Sequence, residues 1–339
     1  MADSAFYSVT PGASLQRWPT VDAALDARRQ GGYAWLNYVD PSAEELAALI
    51  TPLGLHRLSI EDCLDAQQVP KIDDFPSHTF LLLNVYRYAE QAFTVAEVDF
   101  FLGRDFLVTV SGHGAAEGSV QGDLEALVRL DLETARRGPD FLLHTILDHT
   151  VDSKAVAIEA LEDDIDVAEE AMLRDAGAFQ LADLMLLRRA LLTLRKSLFH
   201  EREIMGRICR RDCAFVSEPA IYHFRDIYDH LTKFFELIEM NRDIVASLTE
   251  VYLSLVNNQM AKAANETNLS VRRLTLITTI FMPLTLLAGI GGMSEWSMMT
   301  GPGNWPIAYP AFLVAMLAIG VINYYVLKRL ESRGADGGG

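Results

Sequence analysis

Three groups of side chains in this sequence have the types and spacing to act on ions. His223, Asp226 and His230 fall at i, i+3 and i+7, so a helix over them carries all three on one face. Imidazole suits Zn²⁺ better than Mg²⁺, although a pair at i, i+7 also serves structure alone. The run Glu159-Ala-Leu-Glu-Asp-Asp-Ile-Asp-Val-Ala-Glu-Glu170 is either a solvated helix face or a surface that concentrates cations. The third group is a line of weakly polar residues: Asn268, Val271, Thr275, Thr278, Met282, Thr285, Gly289 and Gly292 follow steps of three and four without a slip. Such a seam is expected where identical helices pack around an axis. Its hydroxyls, amide, thioether and glycines suit a hydrated ion, whereas carboxylates would hold the ion too tightly to release it. A dry contact of small residues between helices is the other reading of the same line. Cys209 and Cys213, one turn apart if helical, have no further cysteine pair nearby to complete a metal site and read as packed thiols. No phosphate loop, nucleophile motif or HExxH helix occurs, so the residues do not point to an enzyme.

The seam sits in a segment that must be held by lipid. Residues 274–293 and 307–327 contain no charged side chain, and each matches the ~20 residues needed to cross a ~30 Å hydrocarbon core. Trp296, Trp305, Tyr324 and Tyr325 stand where interfacial aromatic belts occur. Arg272 and Arg273 precede the first span and Lys328, Arg329 and Arg333 follow the second, while the connector holds only Glu295. The positive-inside rule therefore puts both termini in the cytoplasm of a cell whose inner membrane the chain crosses twice. Two helices cannot enclose a water-filled path, so several copies must form one. Pro283 removes a backbone donor inside the first span. The second span carries no polar stripe and reads as the outer, lipid-facing helix.

Ahead of the membrane, residues 1–139 predict a cytoplasmic α/β domain with strands over 33–39, 79–86 and 105–110. Ser42 with Glu45 three residues on predicts a capping box. Residues 140–217 predict an acidic antiparallel helix pair, 140–175 and 178–215, broken at Ala176-Gly177. A third helix starts after Pro219 and meets no stop before Gly289, ~100 Å at 1.5 Å per residue. It serves first as a cytoplasmic stalk over 218–272 and then as the span 273–293, followed by the outer loop 294–306, the span 307–327 and a tail 328–339. A net charge of −17 disfavours nucleic acid, which needs clustered Lys and Arg, and favours cations near the soluble part. Three cysteines make no disulfide framework, which fits a reducing compartment, and no cleavable signal is expected at the start.

In detail the chain resembles the CorA family of divalent cation transporters. The segment Leu274-Thr-Leu-Ile-Thr-Thr-Ile-Phe-Met-Pro-Leu-Thr-Leu-Leu-Ala-Gly-Ile290 is similar to that family's first membrane helix. Tyr228-Asp-His230, Arg242-Asp-Ile244 and Val251-Tyr-Leu-Ser254 resemble its stalk, and Leu58-Ser-Ile-Glu-Asp-Cys-Leu64 with Pro70-Lys-Ile-Asp-Asp74 its N-terminal domain. The resemblance implies a homopentamer whose first membrane helices ring a pore lined by Asn268, Val271, Thr275, Met282 and Thr285, on the line that ends at Gly289. Val271 and Met282 then form a hydrophobic gate, and Gly292, Met293 and Ser294 the selectivity entrance. It further implies regulatory metal at Glu61, Asp62, Asp148 and Asp226, with divalent cations as cargo and regulators and no other cofactor. Mg²⁺ is the default cargo, with Zn²⁺, Co²⁺ and Ni²⁺ as rivals. Two departures point to a divergent branch similar to the CmaX-type proteins. The family's Gly-Met-Asn is Gly292-Met293-Ser294 here, and Val251–Ser254 stands about seven residues, two turns, further from the membrane. The ZntB branch, which moves zinc, makes His223 and His230 candidate zinc ligands. A membrane-anchored metal sensor that does not conduct is the alternative to transport.

Overall fold

The computed structural model describes residues 4–10, 15–29, 31–65, 68–89, 92–112, 124–292, 298 and 301–335. Met293 and Ser294, two of the expected entrance residues, lie outside them. The chain divides into two units, Met1–Tyr252 and Leu253–Gly339.

In the first unit, β-branched and aromatic runs build one seven-stranded sheet. Its strands are β1 (Ala5–Val9), β2 (Gln16–Trp18), β3 (Tyr33–Val39), β4 (Lys71–Asp74), β5 (His78–Ala89), β6 (Ala92–Gly103) and β7 (Phe106–Ser111). Their order is β2-β1-β3-β7-β6-β5-β4, with β3 and β7 parallel and every other pair antiparallel. All six residues of β7 are buried, so its two faces are both covered. One cover is α1 (Val21–Arg28), α2 (Ala43–Ala47), α3 (Ile50–Leu53) and α4 (Arg57–Leu64), whose Leu46, Leu53, Ile60 and Cys63 pack with Leu36, Phe101 and Val108. Ser42 and Glu45 close the expected capping box at the start of α2. The other cover begins with α5 (Leu124–Leu130) and α6 (Leu132–Ala135). It continues into α7 (Pro139–Arg174), which crosses β5, β6 and β7.

The sequence reading found three of the seven strands. The long partner strand β6 escaped it because Glu97 and Asp99 interrupt the apolar pattern, although both side chains are buried.

Helix α8 (Leu181–Cys209) returns antiparallel to α7, and α9 (Glu218–Gly291) follows. The expected helix over 178–215 is too long. Arg211 takes a left-handed φ of 64°, which ends regular helix, and Arg210 already serves as the C-cap. Cys213 is therefore not a helical neighbour of Cys209. It lies buried with its Sγ 3.5 Å from Thr79 Oγ1. Pro219 falls inside the first turn of α9, where its missing N–H costs nothing.

The second unit holds the rest of α9 and α10 (Trp305–Ala335), entered through a short 3₁₀ turn, Pro302–Asn304. Both helices contain a stretch long and apolar enough to cross a membrane. The side chains they shelter form complementary stripes. Leu276, Ile280, Leu284, Leu287 and Gly291 are partly covered on α9, and Phe312, Met316, Gly320, Asn323 and Leu327 on α10. At Gly291 a Cβ would come within 2.7 Å of the Phe312 ring, so the helices meet there on a bare glycine.

Candidate functional site

The seam lies on the side of α9 that α10 leaves uncovered. Asn268, Val271, Thr275, Thr278, Met282, Thr285, Gly289 and Gly292 are all exposed, and Met282 keeps 71% of its surface. The covered residues Ile280, Leu284 and Leu287 are offset by two positions from Met282 and Thr285, which is 200° around a helix. A second helix packed on α9 thus leaves the polar line free for something else. Each seam threonine donates its hydroxyl proton to the carbonyl four residues back: Thr275 to Val271 O at 2.9 Å, Thr278 to Leu274 O at 2.9 Å and Thr285 to Phe281 O at 2.8 Å. With the proton engaged inward, the oxygen lone pairs remain outward as acceptors. The waters around a divalent cation point their protons outward, and a face of hydroxyl oxygens without carboxylates has the chemistry to accept from them. Met282, Thr285 and Gly289 also border a shallow hollow, and the space beside Gly289 is open.

The four expected regulatory acids fall on two surfaces of the first unit. Glu61 is exposed on α4, while its neighbour Asp62 is held by Lys71 Nζ at 2.7 Å. Asp148 on α7 and Asp226 on α9 belong to a second group that also contains His144, His223 and His230. Asp140 sets the register between the two helices: its carboxylate accepts from Ser217 N at 2.9 Å, just before α9 begins. Further along, Asn241 Nδ2 donates to Glu162 at 2.7 Å, so α7 and α9 run parallel. Burial pushes the Asp148 carboxyl upward, His144 and His230 oppose that, and Asp152 and Asp226 reinforce it. Burial lowers the His144 imidazole, against the pull of Asp148. The rings of His144 and His223 meet edge-on at 5.0 Å, and His223 Nε2 lies 3.4 Å from an Arg137 guanidinium nitrogen.

Comparison with known proteins gives this arrangement a lineage. Residues 30–329 match the family described as CorA-like Mg2+ transporter protein. The chain belongs to that family. It is 30% identical over 313 residues to the cobalt/magnesium transport protein CorA of Thermotoga maritima, covering 91% of this chain and 86% of that one. Its fold is similar to the complete CorA magnesium transporter of Methanocaldococcus jannaschii, with TM-score 0.67 at 20% identity, covering 96% of this chain and 97% of that one. Full-length CmaX is similar in fold as well, with TM-score 0.68 at 19% identity and the same coverages. As a CorA-like protein the chain is a membrane protein with two spanning helices.

Within this CorA-like frame, sequence reasoning missed two groups. His144 stands four residues before Asp148, a spacing visible in the sequence, but nothing local showed that α7 faces α9. The second group is Cys63, Glu97 and Asp99, beneath α4 and next to Asp62. Asp99 is 1% exposed, and neither of its carboxylate oxygens completes a hydrogen bond, although the Cys63 thiol adjoins it. Burial raises all three: Asp99 and Cys63 well above their ordinary ranges, and Glu97 to about 7 with help from Asp65 and against Lys71. Burial thus works against the charged form of both acids, as expected in an apolar core.

Proposed function

We propose that this chain assembles as a homopentamer in the cell's inner membrane, with both termini cytoplasmic, and passes hydrated divalent cations along the uncovered face of α9. One observation carries the reading: α10 packs on the apolar side of α9 and leaves Asn268, Thr275, Met282, Thr285 and Gly289 free. Five such faces around an axis would make a path of hydroxyl and amide acceptors, narrowed by rings of Val271 and Met282. Those two rings can close the path by dewetting, since a hydrated ion meets no acceptor there. Gly292, Met293 and Ser294 would form the entrance. Mg²⁺ is the default cargo, in keeping with relatives described as cobalt/magnesium transport proteins. Glu61 and Asp62 of one subunit and Asp148 and Asp226 of the next would bind regulatory cations, because carboxylates are hard ligands that Mg²⁺ accepts while keeping several waters.

The test is ion flux into liposomes holding the purified protein, over Mg²⁺, Zn²⁺, Co²⁺ and Ni²⁺, with and without a pH gradient. Met282→Asp places an acceptor ring in the gate and is expected to raise resting flux. If Met282→Asp conducts no differently from wild type, the seam does not line the path. A second reading follows from Ser294, where the family has Asn. Serine keeps an oxygen but loses the longer amide that bonds both ion water and neighbouring backbone. If no divalent ion crosses, the protein is a membrane-anchored metal sensor.

A further inference from the structure

The membrane unit leaves a backbone acceptor and a side-chain donor without partners, on helix faces that meet. Pro283 has no N–H, so the carbonyl of Thr279, four residues before it, loses its place in the α9 ladder. Inside a bilayer such a carbonyl is costly unless a neighbouring helix, a hydroxyl or an ordered water supplies a donor. The nearby threonines do not supply it. Thr275, Thr278, Thr279 and Thr285 each spend their proton on the carbonyl four residues back, at 2.8–2.9 Å. The α10 span carries a single amide, Asn323, on the stripe with Phe312, Met316, Gly320 and Leu327 that is partly covered against α9. Among the described residues that amide has no hydrogen-bond partner. Tyr324 and Tyr325, the other donors at that depth, lie off the covered stripe and are exposed.

Register brings the two groups level. The helices are antiparallel, with Gly291 against Phe312 and Leu284 against Gly320. Asn323 stands three residues beyond Gly320, about 4.5 Å along α10, and the same distance back from Leu284 reaches Phe281 on α9. Helix carbonyls point toward the C-terminus, so the Thr279 oxygen reaches up toward that level. Pro283 is partly covered as well, so the break opens beside the face that α10 shelters.

We propose that Asn323 is a positioning residue for the pore, its amide donating to the Thr279 carbonyl that Pro283 frees. Both groups are unpaired in this structure, and a bilayer, which offers neither a substitute, favours closing the pair. An amide within a span is costly unless it faces protein, which is the side Asn323 takes. A proline break is also where a helix kinks, and this one adjoins Met282. Pinned to α10, the turn that carries Met282 keeps one orientation. The same turn in each subunit then keeps the hydrophobic ring narrow enough to dewet. The effect on flux rests on the reading of Met282 as the gate; the bond itself does not.

The experiment is a double-mutant cycle on the full-length chain, read as melting temperature in nanodiscs and as resting Mg²⁺ flux into liposomes. Asn323→Ala and Asn323→Leu both remove the donor, the first without adding bulk and the second without leaving space. Each is expected to lower the melting temperature and to raise resting flux roughly threefold, with about twentyfold as the ceiling, the range found for hydrogen bonds between membrane helices. Pro283→Ala returns an N–H to the Thr279 carbonyl. In that background the two Asn323 variants should change neither readout, a dependence on position 283 that lost packing alone would not show. The inference is overturned if the Asn323 variants match wild type, or if their effects are as large in Pro283→Ala as in wild type. A coupled melting temperature without Mg²⁺ flux sinks transport and keeps the bond, whereas flux without coupling sinks the bond and keeps transport.

Discussion

Replacing Lys154 by Met tests whether a buried ion pair fixes the platform from which α7 presents His144 and Asp148. Lys154 and Glu201 are both 0% exposed, and the ammonium donates to Glu201 Oε2. Glu201 Oε1 accepts from Asn84 N at 3.1 Å and from Ser197 Oγ at 3.2 Å, and the ammonium lies 4.9 Å from the centre of the Tyr86 ring. One pair thus joins α7, α8 and β5. Burial lowers the Lys154 pKa while Glu201 raises it, so the charged form depends on its partner. Lys154→Met keeps the aliphatic stem and leaves a lone buried carboxylate, a loss of about 3–5 kcal/mol. At about 2–4 °C per kcal/mol for a unit of this size, the apparent melting temperature in nanodiscs should fall by roughly 6–20 °C. Lys154→Met combined with Glu201→Gln retains an acceptor for Asn84 N and removes both charges, and should recover all but about 1 kcal/mol. The reasoning fails if Lys154→Met melts as wild type does, or if the double variant is no more stable than the single one.

Three further outcomes follow. Gly291→Ala should push α10 off α9, since the added carbon would lie 2.7 Å from the Phe312 ring; overpacking of this kind costs about 1–3 kcal/mol and is read as a lowered melting temperature in nanodiscs. Glu97→Gln should flatten the stability profile between about pH 5 and 8. A carboxyl raised to about 7 stabilises fully below its unfolded value near 4.5 and loses that contribution as pH rises through 7, so wild type should weaken toward alkaline pH and the variant should not. Thr285→Val removes the outward lone pairs at constant shape and should lower Mg²⁺ flux roughly fivefold, about one hydrogen bond, while Thr285→Ser should keep it. Equal flux in Thr285→Val and wild type would show that the hydroxyl does not meet the ion's water.

What the residues disclosed without a structure was whatever depends on neighbours in sequence. A span is recognised by the absence of charge over twenty positions, and the seam from Asn268 to Gly292 by steps of three and four along one helix. Both are properties of a single element, and the helix kept them. The capping box at Ser42 and Glu45 is local in the same way.

Tertiary structure decided everything that needs two distant segments to meet. No spacing rule shows that α10 would cover Ile280 and Leu284 and leave Thr285 free, nor that His144 would stand against Asp226 eighty-two residues away. Nothing local marks Lys154 and Glu201 as partners, and only the closing of α7, α8 and β5 around them buries the pair. Asp99 lies in a strand that the sequence reading did not find, and is buried beside Cys63. The physical reason is common to all four. A side chain's surroundings are set by packing of apolar faces, which is non-directional and long in sequence, whereas helix and strand patterns record only which face is apolar and not what will lie on it.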